Sequence, residues 1–370
     1  VLVGLLPAIF GPIIFTLGPY YRAREHSAVL ERITGKLVYR LLDISLILSG
    51  FVLGFVMIAG AGANLNQEFG LPTWVGALLC SVLVVVVSMM NFERVTQAIG
   101  VFTPIIVGII VLLAIYTFWG KSYDWVALDG FAKTLPKALP NIWVSVVNYY
   151  AICIMAAAAM FFVLGGNEMY VGEAGRGGLI GGAIIGVITT CTAFILLANI
   201  ELASQVAIPM QALVAQIHPI FGTFMSIIIF GMIFNTAISL YYSLAKRFSG
   251  ADDVRFKKLM VIFVAGGFGL SFAGFKTLVA TVFPILGYIG MLMLLVLTTT
   301  WIKNRHIIKE ERLRRRQIFD LMVQKHDDDQ HFDKTHQKHL DGLIDKSVLD
   351  NDDLRQQMRD MAKEHLDDKG

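Results

Sequence analysis

An apolar stretch of this 370-residue sequence contains three uncharged polar residues that could bind a ligand, namely Asn235, Thr236 and Ser239. Residues four apart lie on one face of an α-helix, so Asn235 and Ser239 would share a face that Thr236 adjoins. The amide and hydroxyl oxygens could ligate a hard cation such as Na⁺, or bond the polar group of a solute. The alternative is that they hydrogen-bond neighbouring helices together. Asn148 and Tyr150, in an earlier apolar stretch, form a second candidate group with the same two interpretations.

The composition indicates that a membrane surrounds these residues. The chain is 56% hydrophobic and only 16% charged, with a mean hydropathy of +0.65, whereas soluble proteins are about 25% charged. Nine apolar windows lie at 1–18, 41–63, 72–90, 100–119, 142–165, 178–200, 219–245, 258–274 and 278–301. Each approaches the length of ~20 residues that crosses a bilayer. Short polar links between them argue against the core of a large soluble protein, so we predict an all-α integral membrane protein.

Several function classes find no support in the sequence. A net charge of +3 without interleaved basic and aromatic residues argues against nucleic acid binding. Nucleotide-binding, serine hydrolase and zinc protease motifs are absent, so we do not expect an enzyme or a cofactor. Cys80, Cys153 and Cys191 have neither metal-site nor disulfide spacing and are interpreted as small residues buried in the membrane. Asp43, beside Arg40, is expected to cap a helix or form an ion pair at the membrane interface.

Orientation follows from the Lys and Arg residues of the links, because short basic loops stay in the cytoplasm. One alternate set of links is strongly basic and contains Arg22, Arg24, Arg32, Lys36, Arg40, Arg94, Arg176, Lys246, Arg247, Arg255, Lys257 and Lys258. The other set contains only Lys121, Lys133, Lys137 and Lys276. We therefore predict that the first set is cytoplasmic, together with the tail at 303–370. The first visible helix would then start outside, and one upstream helix would complete ten.

Two long links indicate an internal repeat. Residues 19–40 join the first two windows and residues 201–218 join the sixth and seventh, and both can form short amphipathic helices. The offset is five helices, and an odd offset reverses orientation. With one upstream helix added, the chain divides into two five-helix halves of opposite topology. Inverted repeats of this kind are typical of secondary transporters, although similar link lengths could also arise by chance.

The tail at 303–370 differs from the rest of the chain. It contains 15 of the 31 Lys and Arg residues and 16 of the 28 Asp and Glu residues. Hydrophobic residues are sparse, so we expect it to be solvated and at most partly helical. Leu340, Leu343, Ile344, Leu349 and Leu354 could form one weak amphipathic strip. His326, His331, His336 and His339 could ligate a metal, but a solvated tail without metal is the expectation.

Two motifs resemble those of YkvI-type membrane proteins. Residues 57–63 (MIAGAGA) with 69–72 (FGLP) look like the third helix and following loop of that family. Residues 274–279 (GFKTLV) with 283–290 (FPILGYIG) resemble its last helix. These proteins are permeases of the amino acid–polyamine–organocation superfamily, so the resemblance implies a LeuT-like 5+5 inverted-repeat bundle. It covers residues 1 to about 302, which leaves a transporter-like domain at 1–302 and the tail outside it.

The resemblance also implies roles for the polar residues. The fifth visible helix would correspond to the sixth of the family, so Asn148, Tyr150 and Cys153 would face the solute together with Asn235. The seventh would correspond to the eighth, which assigns Thr236 and Ser239 to an ion. This chain has Asn235 and Ser239 where the family pattern has Thr and Gly, so the coupling ion, Na⁺ or H⁺, stays open.

We therefore predict a secondary transporter, or symporter, for a small organic solute such as an amino acid, located in the plasma membrane. Alternating access would move the solute, and the partners would be that solute and the lipid bilayer. The alternative is a membrane sensor that keeps the transporter fold and signals through its tail to an unknown partner. Ligand binding without flux would favour the sensor.

Overall fold

The structure, a computed structural model, describes residues 2–21, 36–90, 102–137, 139–167, 171–250, 252–327 and 330–367. Regular secondary structure within these ranges is helical. The helices are α1 (Leu2–Tyr21), α2 (Lys36–Phe69), α3 (Thr73–Ser88), α4 (Phe102–Phe118), α5 (Trp125–Thr134), α6 (Ile142–Asn167), α7 (Val171–Ala198), α8 (Ile200–Gln205), α9 (Pro209–Ile217), α10 (Pro219–Ser249), α11 (Asp253–Ser271), α12 (Phe275–His326), α13 (Lys334–Ile344) and α14 (Asn351–Asp367). Arg22, Arg24, Arg32, Arg94 and most of the link at 19–40 lie outside the described residues.

Each of the nine predicted windows coincides with a helix, namely α1, α2, α3, α4, α6, α7, α10, α11 and α12. Among the described residues, four helices are long and apolar enough to cross a membrane, at Val38–Phe69, Gly172–Ala198, Pro219–Ser249 and Phe275–His326. Shorter apolar helices accompany them. Large apolar side chains such as Leu112, Val187 and Leu295 point outward from these helices. Such a surface fits lipid, as the composition predicts.

The connections between the helices follow local rules. The link predicted to be amphipathic at 201–218 contains α8 and α9. Helix α10 ends at Gly250, whose φ of +60° is available to glycine without strain. Asp252 then starts α11, because its carboxylate accepts the N–H groups of Val254 and Arg255. The short surface helix α5 has the same type of cap at Asp124.

One compact unit contains residues 1–4, 42–156 and 185–291. Helices α2, α3, α10 and α11 supply a core that includes Ile58, Cys80, Ile238 and Met260. Tyr241 of α10 is fully buried in this core. A Cβ atom at Gly54 of α2 would lie 2.6 Å from its ring, and one at Gly267 of α11 would overlap its hydroxyl group. Glycine at both positions therefore makes the space that Tyr241 fills.

The other unit contains residues 5–41, 157–184 and 292–370. Here α1 and α7 approach through glycines. A Cβ at Gly11 would overlap the main-chain oxygen of Gly178, and one at Gly182 would overlap that of Pro7. Small residues allow this close approach, which is typical of helices packed in lipid.

The expectation of a solvated tail is wrong. The end of α12 packs with α13 and α14 around a core of buried residues, namely Ile318, Met322, Leu340, Ile344, Leu349, Leu354, Met358 and Ala362. Although such residues are few, their spacing of about four places each set on one helix face. Gln337 and Arg355 also bind Asp341 and hold the pKa of its carboxyl group below the ordinary value. The tail is therefore a small packed element. Leu340, Ile344, Leu349 and Leu354 are buried in it, but they do not form one strip, because they are divided between α13, α14 and the segment that joins them.

Replacing Gly267 with alanine should lower the free energy of unfolding by about 1–3 kcal/mol, because the new methyl group overlaps the hydroxyl group of Tyr241. Gly269→Ala on the same helix is the matched control, since no atom lies within 4 Å of its added Cβ. Denaturation of purified protein in mixed micelles measures both. Equal stability of the two variants would contradict the close fit around Tyr241.

Candidate functional site

The polar residues of α10 share one side of the helix, as predicted. Asn235 and Ser239 are half-buried and Thr236 is exposed, whereas Ala237, Ile238 and Tyr241 on the other side are buried. Thr236 donates its hydroxyl hydrogen to the main-chain oxygen of Met232 at 2.9 Å. The lone pairs of the Thr236 oxygen remain able to accept a hydrogen bond or to bind a cation.

The candidates on α6 are placed differently from one another. Asn148 is buried and donates through Nδ2 to the main-chain oxygen of Pro284 in α12 at 2.9 Å. Gly287 provides the space for this amide, since a Cβ there would overlap it. Tyr150 is also buried, whereas Cys153 is exposed on the surface of this apolar helix. Asn148 thus joins α6 to α12 in addition to any contact with a solute.

The four helices that carry or flank these residues meet in one apolar cluster. Val56 and Ala59 of α2, Ile152 of α6 and Leu286 of α12 are buried in it, and Leu240 of α10 packs against it. Ile152 lies between Tyr150 and Cys153 in sequence, and Leu240 follows Ser239 directly. Both predicted groups therefore occur on helices that converge at this cluster.

Unpartnered buried oxygens are concentrated on two of these helices. Among the described residues, buried side-chain oxygens without a hydrogen-bond partner belong to Ser49 and Asn64 of α2 and to Ser226, Asn235 and Tyr241 of α10. Buried polar groups are nearly always bonded to protein or ordered water, so such atoms mark places where water or a ligand binds. Ser226 and Tyr241 are separated by about 22 Å at 1.5 Å per residue, which is most of a bilayer core.

Both ends of the α2–α10 pair are joined by carboxylates of α2. Near one end, Asp43 accepts two hydrogen bonds from Nη2 of Arg247, at 2.5 and 2.6 Å. Near the other, Glu68 accepts the hydroxyl group of Thr223 at 2.6 Å. The expected ion pair of Asp43 is therefore present, with Arg247 of α10 as its partner. Glu68 was not predicted from the sequence, although its position after Asn64 and Gln67 places three polar residues on one helix face.

The tail contributes a buried charge cluster of its own. Glu311 is 0% exposed and Arg315 is 1% exposed, and they form an ion pair of 2.9 Å. Glu311 also accepts the hydroxyl group of Ser347 at 2.6 Å. Arg315 donates to the main-chain oxygen of Tyr20 at 3.2 Å. Carbonyl groups in the last turn of a helix lack intrahelical partners, so Arg315 caps α1 from the tail.

A metal centre is not found in the described part of the chain, where no three His, Cys, Asp or Glu residues are grouped closely enough to hold an ion. The histidines His331, His336 and His339 of the tail therefore do not form such a group there. The polar side of α10 offers hydroxyl and amide oxygens, which suit hard cations and polar solutes.

The fold defines the class of protein. The chain matches the inward-facing conformation of Mhp1, a transporter of the LeuT-like fold, with a TM-score of 0.55. The match covers 83% of this chain and 70% of that chain at 12% sequence identity. The chain is thus an all-helical membrane protein with a LeuT-like fold, which confirms the fold predicted from the sequence.

Two relatives in Bacillus subtilis (strain 168) confirm the family resemblance. The chain is 25% identical over 244 residues to the uncharacterized membrane protein YkvI, across 64% of this chain and 66% of YkvI. It is 22% identical over 269 residues to the uncharacterized protein YyaD, across 73% and 77% of the two chains. The similar region therefore spans about two thirds of the length of YkvI. No protein-family model matches the chain.

Replacing Asp43 with asparagine should destabilise the protein by about 1–2 kcal/mol, a value between those of exposed and buried ion pairs. The Asp43 and Arg247 side chains are only 15% and 28% exposed, so water screens the pair incompletely. Lys133→Met, which breaks the exposed pair with Asp129, is the control and should leave stability unchanged. A double-mutant cycle with Arg247→Met measures the coupling. A coupling energy of zero would show that the two charges act independently.

Proposed function

We propose that this protein is a secondary transporter for a small organic solute of the amino acid class, located in the cell membrane. The observation that supports this most directly is the set of unpartnered oxygens on α2 and α10, inside a fold shared with Mhp1. Among the described residues, all five of these atoms lie on this one helix pair, and such atoms mark places where water or a ligand binds. Neutral amide and hydroxyl groups suit a polar solute that must bind and then leave.

In this proposal the predicted residues have distinct roles. Asn148, Tyr150, Cys153 and Asn235 contact the solute, and Asn235 is the best placed of these because its Oδ1 has no partner. Thr236 and Ser239 supply hydroxyl oxygens to a coupling ion, Na⁺ or H⁺. Alternating access would expose this region to each side of the membrane in turn, and the distribution of basic residues supports a cytoplasmic tail.

The double variant Thr236→Ala, Ser239→Ala tests these roles. Binding of the solute or ion should weaken more than tenfold, because removing an oxygen ligand leaves its partner without compensation. If the hydroxyl groups only join helices, each change should cost about 0.6 kcal/mol in stability and leave binding intact. The measurement is calorimetric titration of purified protein with candidate amino acids, in sodium and in sodium-free buffer.

Thr299→Ala is the matched control for that experiment. Thr299 is also exposed and also donates to the main-chain oxygen four residues earlier, that of Leu295. The Thr299→Ala variant should bind the solute and the ion with wild-type affinity. A double variant with unchanged affinity and unchanged ion dependence would remove Thr236 and Ser239 from the site.

A second candidate function, that of a membrane sensor that signals through its tail, is favoured by one observation. The buried contact of Arg315 with Tyr20 connects the tail to α1. A change at the end of α1 would therefore reach a charge pair that Ser347 of the tail also binds. A freely solvated tail would offer no such connection.

Truncation after residue 318 distinguishes the two functions. It removes Ser347 and uncovers Ile318, so the remaining tail should lose its protection from hydrogen exchange. A transporter should keep solute flux in proteoliposomes, because the proposed solute contacts lie elsewhere. A sensor should show no flux in either form, and solute should change hydrogen exchange at 334–367 in the full chain. Flux that disappears on truncation, in protein that still binds solute, would assign the tail a direct part in transport.

A further inference from the structure

Near the outer end of the α2–α10 pair, polar side chains of the two helices face each other in antiparallel order. Asn64 faces Ser226, and one turn further along, Glu68 faces Thr223. Gln211 of α9 is buried and donates to Glu68 Oε2 at 2.9 Å. These five residues are hereafter the outer polar cluster. Its two members on α10, Ser226 and Thr223, lie about 15 Å and about 20 Å along the helix from Thr236, so the cluster is separate from the proposed solute site.

The orientation of Asn64 is determined by its partner. Its Nδ2 donates to the main-chain oxygen of Ser226 at 2.9 Å, and an oxygen of this kind can only accept. The amide therefore must present its nitrogen there and its Oδ1 elsewhere. Asn64 is 0% exposed and Oδ1 has no partner in the protein. A group that can donate to this atom, or a cation, is required to compensate for its burial.

Ser226, whose main-chain oxygen accepts the amide of Asn64, has a second unpartnered side-chain oxygen. Hydroxyl groups within apolar helices of this protein commonly donate to the carbonyl one turn earlier in their own helix. Examples are Thr16, Ser81, Thr192, Thr236, Thr281 and Thr299. Ser226 does not do so, and its Oγ is buried and unpartnered at 0% exposure of the residue. The Ser226 hydroxyl group therefore does not make the hydrogen bond to the carbonyl group one turn earlier in its own helix.

The charge of the outer polar cluster is also unbalanced. Glu68 is half-buried and is bonded by two neutral groups, the hydroxyl group of Thr223 and the amide of Gln211. Within the described ranges, no basic side chain lies within salt-bridge distance of it. One carboxylate carries a single negative charge, which a monovalent cation balances better than a divalent one. The two unpartnered oxygens are suitable ligands, because hard cations bind oxygen atoms.

We propose that the outer polar cluster binds one monovalent alkali cation such as Na⁺. Asn64 Oδ1 and Ser226 Oγ are its direct protein ligands, and Glu68 supplies the compensating charge one turn away. The cation accounts for both unpartnered oxygens and for the unbalanced carboxylate together, whereas a single water would leave the charge of Glu68 unbalanced. By joining α2 to α10, the cation stabilises their outer contact.

The test is thermal unfolding of the purified full-length protein without any solute. The midpoint is measured against increasing NaCl or KCl, with choline chloride keeping the ionic strength constant. We expect one alkali cation to raise the midpoint with saturation and choline to have no effect. Ser226→Ala and, separately, Glu68→Gln should each raise the cation concentration for half of the effect more than tenfold. Glu68→Gln provides the answer if Ser226→Ala fails to fold, because glutamine keeps the shape of the side chain.

Two control variants make the outcome specific. Ser81→Ala removes a buried hydroxyl group that is bonded to Ala77 of its own helix, so it should titrate as the wild type does. Thr299→Ala, which lies outside both proposed sites, should also titrate as the wild type does. The proposal is overturned if no alkali cation acts differently from choline, or if Ser226→Ala and Glu68→Gln leave the titration unchanged. It is also overturned if only the Thr236, Ser239 variant removes the effect.

Discussion

The contact between α2 and α10 is the interaction on which the arrangement of the proposed sites depends. In a bilayer, helices gain little from burying apolar surface against each other, so close packing and polar contacts must hold them. Here Tyr241 fills the space that Gly54 and Gly267 leave open. Asp43 and Glu68 bond α10 at opposite ends of α2. Because contacts at both ends and in the middle hold α2 against α10, the polar atoms between these contacts have defined positions.

Hydropathy predicted the helices of the membrane region well, since the requirement for internally satisfied backbone groups acts on every residue of a span. The same reasoning failed for the tail. Its apolar residues are too few to raise the mean hydropathy, but Leu340 and Ile344, or Leu354 and Met358, recur at helical spacing and are buried together. The average composition of the tail therefore gave no sign that a few apolar residues at helical spacing would form a packed core.

The candidate site could be predicted only in part, for a similar reason. Residue type and spacing identified the polar side of α10, because Asn235 and Ser239 lie within one helix. The partners of Asn148 and Glu68 are 136 and 155 residues away in sequence, and spacing carries no information about them. The hydrogen bond of Asn148 to Pro284 also depends on Gly287, because a side chain there would overlap the amide. Nothing in the sequence distinguishes Gly287 from other small residues. Contacts of this kind require the fold.

The hydrogen bond from Thr236 to Met232 has a consequence for the direction in which a zwitterion could bind. The single hydroxyl hydrogen of Thr236 is engaged by its own helix, so this residue offers only electron pairs. A carboxylate also offers only electron pairs and would be repelled, whereas an ammonium group could donate a hydrogen bond to the Thr236 oxygen. A solute with both groups would therefore approach Thr236 with its positive end first, and its negative end would have to find donors elsewhere. A residue without charge can in this way establish the polarity of its ligand.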